Sequence, residues 1–221
     1  MINTDEYHLA FMFRTPIKGM ISDALIAKLT GAKYVHVDTV FVPPIPGMGI
    51  QRRPISEHKE REDTMKQMFS TYVGEAFSGY TPVHWLQRNN DTHFMLLLSV
   101  SEEEYDRARA YTCDLCLSNV RYNYVDLALC GIPNAVAMGI ASDIEPHPIP
   151  KTAYCSQAAI LTLQYAIAPG RTSAPLVQIL GSINSRACSP MMLCNMLRPH
   201  CTSINVERYV TSRELVPLNK V

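Results

Sequence analysis

A cysteine placed where a loop becomes a helix, served by a histidine held in a strand, is the minimal kit for a thiolate nucleophile. Cys155 lies in "HPIPKTAYCSQAAILTLQYA" (His147 to Ala166), where a proline-bearing stretch gives way to good helix formers. A thiol's pKa falls at a helix N-terminus or beside an imidazole. At such a position the backbone N–H of Cys155 also faces an attacked carbonyl as one oxyanion donor. His36 sits in "YVHVDTVF", a polar residue inside a strand-forming run, and a base on a strand is held rigidly. An imidazole acting as base needs a third polar group to orient its ring. Asp38 is one candidate, because residues two apart leave the same face of a strand.

Composition bounds what this kit could serve. The 221 residues suit one domain, residues 1–221, able to bury a sizeable core. Hydrophobic content of 47% against 18% charged excludes a disordered chain. Twenty basic and twenty acidic residues cancel, which leaves no broad electrostatic footprint for nucleic acid. No stretch approaches the roughly twenty apolar residues of a transmembrane segment. The N-terminal stretch lacks the form of a signal peptide. Seven cysteines, odd in number and irregular in spacing, do not make a disulfide framework, so the expected setting is a reducing, cytoplasmic one.

The elements that must position the pair can be read from periodicity and stop signals. "HLAFMF" (His8 to Phe13) and "HFMLLLSV" (His93 to Val100) read as strands, as does Lys33 to Val42, ended by Pro43 and Pro44. Ile21, Leu25 and Leu29 recur by four ahead of Gly31, which marks a helix and its stop. Residues 43–64 form a long polar, proline-bearing insertion of the kind that makes lids and binding loops. A further strand is expected at Ser70 to Ala76, with "SGYTPV" as its turn. Ser101 and Glu104 fit a capping box, and Tyr105, Ala108, Thr112 and Leu115 give the helix behind them its inward stripe. "RYNYVDLALCGIP" is ambiguous. "SPMMLCNMLR" reads as a last helix and "INVERYV" as a closing strand. The class is α+β.

Taken in order, "Y-x-H-V-D", "Y-V-G-E-A-x-x-G-Y", a strand and helix, and "Y-C-S" opening a helix resemble the circularly permuted papain-like hydrolases, relatives of the NlpC-type peptidases. The resemblance spans roughly residues 8–197. It implies an antiparallel sheet with packed helices, no cofactor, a nucleophile at Cys155 and a base at His36. It also puts the family's acidic residue on Glu75, the favoured orienter of His36, because a neighbouring strand faces the ring more directly. Asp38 then falls among substrate-contacting residues. The family's tyrosine-bearing segment is similar to Tyr122-Asn123-Tyr124, so Tyr122 lines the site, and its late "S-P-x-x-L" resembles Ser189 to Leu193. Asn123 stands where the family carries an acid, and Gln157 where a glutamate is frequent. The acyltransferase branch's "N-C-E-H-F" motif is absent.

The implied function is a thiol hydrolase that cleaves an amide or isopeptide bond of a peptide or protein. The preference over a lipid acyl ester rests on the polar character of residues 43–64 and 141–151, which suits an extended polar chain. Two alternatives stay open: a non-catalytic structural or partner-binding protein on the same scaffold, and a thiol-dependent lipid esterase or acyltransferase. No metal is expected. Cys113 and Cys116 lie on one side of a helix, where packing explains them. The spacing of Cys188, Cys194, His200 and Cys201 is not that of a zinc knuckle.

Overall fold

The computed structural model describes residues 6–16, 21–42, 44, 68–71, 80–83, 93–118, 120–123, 126–127, 130, 149–167 and 175–205. The described residues are mixed α+β. Six antiparallel strands form one sheet in the order β4-β3-β2-β1-β5-β8. They are β1 (Tyr7–Arg14), β2 (His36–Val42), β3 (Met68–Thr71), β4 (Tyr80–Val83), β5 (His93–Val100) and β8 (Thr202–Asn205). Helices α1 (Ile21–Thr30), α2 (Glu102–Leu117), α3 (Cys155–Ile167), α4 (Pro175–Ser182) and α5 (Pro190–Leu197) accompany it. A separate parallel pair, β6 (Arg121–Tyr122) with β7 (Thr152–Ala153), stands just before α3.

The apolar runs of β1 and β5 are continuous because both faces of the central strands are buried. Leu9, Phe11 and Phe13 of β1 join Val37, Phe41, Leu96 and Leu98 in a core shared with Ala159, Ile160 and Leu163 of α3. Ala10, Met12, Val40, Met95 and Leu97 make a second cluster. By strand alternation that cluster lies on the opposite face. Helix α2 begins with the expected capping box: Ser101 Oγ accepts the Glu104 N–H, and the Glu104 carboxylate accepts the Ser101 N–H. Its stripe of Tyr105, Ala108, Thr112 and Leu115 is buried.

Two contacts fix α3 along its axis. The Arg107 guanidinium of α2 donates twice to the Ala166 carbonyl, at 3.0 and 2.8 Å, and so satisfies the C-terminal end of α3. Near the other end, Ser156 Oγ donates to the Cys188 carbonyl at 2.6 Å. The helix start is thereby pinned between β7 and the segment entering α5.

Gly31 ends α1 at φ +60°, the left-handed conformation that glycine adopts without steric cost. Four details differ from the sequence expectations. Strand β2 begins at His36 rather than Lys33. Tyr80–Val83, expected in a turn, is strand β4 hydrogen-bonded to β3, with Tyr80 opposite Thr71. Tyr80, Thr81 and Val83 are strand formers, so the Pro82 punctuation marks an edge strand, where a missing N–H is tolerated. Strand β3 lies at Met68–Thr71 and strand β8 at Thr202–Asn205, earlier in the chain than expected. Residues 72–79, and with them Glu75, lie outside the described residues. So do the insertion at 43–64 apart from Pro44, and residues 141–148.

Candidate active site

The N-terminal end of β2 is held by its neighbour. The Val35 N–H donates to the Arg14 carbonyl at 3.0 Å, and Arg14 is the register partner of His36. The Arg14 guanidinium forms a bidentate pair with Asp23 of α1, with side chains 5% and 1% exposed. A buried fork of this kind fixes both partners, because either charge is left less compensated if the other moves.

His36 and Asp38 share one face of β2, and His36 Nε2 lies 2.8 Å from Asp38 Oδ1. Both are buried, His36 at 1% and Asp38 at 0% exposure. With Nε2–H donated to the carboxylate, Nδ1 is the nitrogen left for the thiol. Nδ1 has no aligned hydrogen-bond partner, so ring and sulfur act on each other chiefly through charge. Burial alone would lower the imidazole pKa. The Asp38 carboxylate and the Cys155 thiolate more than offset it, and His36 is pushed up to about 9.

Cys155 opens α3 and is 2% exposed. Burial raises its pKa, but the charge of His36, the Val37 N–H and the Tyr122 hydroxyl together bring it below the ordinary thiol value. Among the described residues β3 pairs with β2 at Thr39 and Val40, short of Val37, whose N–H hydrogen-bonds the sulfur. Tyr122 reaches the sulfur because β6 runs beside β7, with Tyr122 opposite Ala153, and its hydroxyl lies 3.8 Å from Cys155 Sγ. The cationic imidazolium, an amide and a phenol thus converge on one sulfur at a helix N-terminus. Such an environment favours the thiolate, the form of a cysteine that attacks an electrophilic carbon.

Asn123 supports this arrangement through both its side chain and its backbone. Its side chain donates to Thr152 Oγ1 at 3.1 Å and accepts the Asp126 N–H at 3.0 Å, while its own N–H donates to the Ala153 carbonyl at 3.0 Å. Gln157, in the first turn of α3, is 4% exposed and its Oε1 has no hydrogen-bond partner among the described residues.

The structure therefore brings Cys155, His36, Asp38 and Tyr122 together. Asp38, placed by the sequence among substrate contacts, holds the imidazole. The Val37 amide escaped the sequence reading, since a backbone donor has no residue-type signal. Among the described residues no group of three His, Cys, Asp or Glu side chains is placed to hold a metal ion. No helix among them is long and apolar enough to cross a membrane. No family model matches the chain, and no curated protein or solved structure is significantly similar to it.

Proposed function

We propose that the protein is a thiol hydrolase of the circularly permuted papain-like type, acting on an amide or isopeptide bond. The observation that carries the reading is a Cys155 held below the ordinary thiol pKa at the start of α3 by a His36 whose far nitrogen is bound to Asp38. The Cys155 thiolate adds to the carbonyl carbon. The oxygen gains the negative charge, facing the Cys155 N–H, with the Tyr122 hydroxyl as a second donor close to the sulfur. As the carbon–nitrogen bond breaks, the His36 imidazolium gives its proton to the departing amine. The neutral ring then takes a proton from water as that water attacks the thioester, and the acid product leaves with the thiolate restored.

The rival non-catalytic reading draws on burial, since Cys155 and His36 are 2% and 1% exposed and a substrate must open a path to them. Turnover of peptide, ubiquitin-type and acyl-ester substrates, each beside Cys155→Ala, tests the proposal. Cys155-dependent cleavage of the amide substrates is expected. Cleavage of the esters alone would overturn the amide preference and leave the nucleophile standing. Turnover of none, with an unreactive Cys155, would favour the non-catalytic scaffold.

A further inference from the structure

One backbone donor at the nucleophile has a partner at rest and no part yet in the reaction. The Val37 N–H hydrogen-bonds Cys155 Sγ. It belongs to the peptide unit that follows the base, His36. Val37 and Cys155 pack in one core cluster, each 2% exposed, where α3 lies against β2. The donor is held rigidly. Strand β2 is in register with β1 from His36 to Val42, and just before it the Val35 N–H donates to the Arg14 carbonyl at 3.0 Å. The buried Arg14–Asp23 pair ties down the same end.

We propose that the Val37 N–H is an oxyanion donor, passing from the Cys155 sulfur to the substrate carbonyl oxygen as the carbon–sulfur bond forms; this rests on the hydrolase reading. A thiolate lone pair makes the carbon–sulfur bond, and the carbonyl π pair moves onto oxygen. Sulfur becomes a neutral sulfide, a weak acceptor. The oxygen, bonded to the same carbon, now carries the charge. The N–H keeps its proton throughout, and only its acceptor changes. A donor that favoured the thiolate alone would stabilise the ground state and slow attack. An N–H bound to a compact oxyanion makes a short, charge-assisted bond, so the exchange favours the transition state.

The other groups around the sulfur are less suited to this task. The His36 imidazolium owes its proton to the departing amine. The Tyr122 hydroxyl stands 3.8 Å from the sulfur, on a bond that rotates. An amide fixed in a paired strand needs no reorganisation when charge appears. With the Cys155 N–H, the oxyanion site is then built from one strand amide and one helix amide.

The full chain is made by stop-codon suppression with α-hydroxyisovaleric acid in place of Val37. The His36–Val37 amide becomes an ester and the side chain is kept. With a peptide anilide as substrate, kcat at the top of the pH profile should fall about a hundredfold, with KM little changed. The aldehyde acetyl-leucyl-leucyl-norleucinal, which adds to a cysteine as a thiohemiacetal, should bind at least about tenfold more weakly. Iodoacetamide, whose product has no oxyanion, should not be slowed at its high-pH limit. Should the ester chain fail to fold, the Val37 amide proton of the unaltered chain, followed by NMR with isotope-labelled valine, decides. It should move downfield on aldehyde binding and upfield on alkylation, and the same upfield movement with both would overturn the proposal. An ester chain with unchanged turnover and aldehyde affinity, whose labelling alone moves to higher pH, makes Val37 an anchor of the thiolate. That result overturns the proposal and leaves the hydrolase reading standing. Aldehyde affinity lost in the ester chain, with no amide cleaved by either chain, supports the donor and overturns the hydrolase reading. An unaltered chain that cleaves no amide and forms no aldehyde adduct overturns both.

Discussion

His36 Nε2 lies 2.8 Å from Asp38 Oδ1, two residues along the same strand face. The strand supplies base and orienter from one rigid element, and the contact fixes which ring nitrogen is left for Cys155. Asp38→Asn keeps the shape but removes the charge that sustains the imidazolium. Turnover should fall at least about a hundredfold. Thiol labelling of Cys155 should move to higher pH in parallel. Glu75→Gln is the matched comparison, and a crippled Glu75→Gln beside an active Asp38→Asn would return the orienting role to Glu75.

The protonation states set a pH window. Cys155 ionises below the ordinary thiol value of about 8.5 and His36 keeps its proton up to about 9, so thiolate and imidazolium coexist between the two. Alkylation of Cys155 by iodoacetamide should therefore set in at lower pH than that of an ordinary thiol. The rate of turnover should rise on the acid side with Cys155 ionisation and fall as pH passes about 9, when His36 loses the proton owed to the leaving group. His36→Ala should move the alkylation profile to higher pH, because burial is then opposed only by the Val37 N–H and the Tyr122 hydroxyl. An unchanged profile in that variant would remove His36 from the site.

Tyr122 tests the smallest of the contributions to the sulfur. At 3.8 Å its hydroxyl makes a long contact, worth about 1 kcal/mol to a thiolate or oxyanion. Tyr122→Phe retains the ring in its cluster with Tyr154 and Leu127, so the fold should be unaffected. A roughly fivefold loss of kcat with little change in KM is expected, which is about 1 kcal/mol. A loss confined to KM would make Tyr122 a substrate contact instead.

The parts of the fold that were legible in sequence were those with local causes. Ser101 and Glu104 cap α2 through contacts three residues apart, and Gly31 ends α1 by its own φ. Cys155 was legible as a helix start, because helix formers follow it without interruption. What was not legible depended on partners far along the chain. Tyr80–Val83 is a strand only because β3 lies beside it, and Pro82 alone read as a turn. That Asp38 meets the imidazole depends on how the ring rotates, which no spacing encodes. The bidentate Arg14–Asp23 pair gave no signal either, since isolated charges nine residues apart usually face solvent.

That pair also gives the sharpest stability prediction. Arg14 and Asp23 are buried at 4% and 1% exposure, and the pair ties α1 to the strand end that carries His36. Asp23→Ala leaves a guanidinium in the interior without its carboxylate, at a cost of about 3–5 kcal/mol. Replacing both residues with apolar ones of similar size should cost less than the single change, because no uncompensated charge remains. Urea unfolding of Asp23→Ala, Arg14→Met and the double variant measures this coupling. A double variant less stable than either single one would show that the two side chains act through separate contacts. Where the protein stays folded, Asp23→Ala should also lower Cys155 reactivity, because His36 sits opposite Arg14 in the register and loses the anchored strand end that aims its ring.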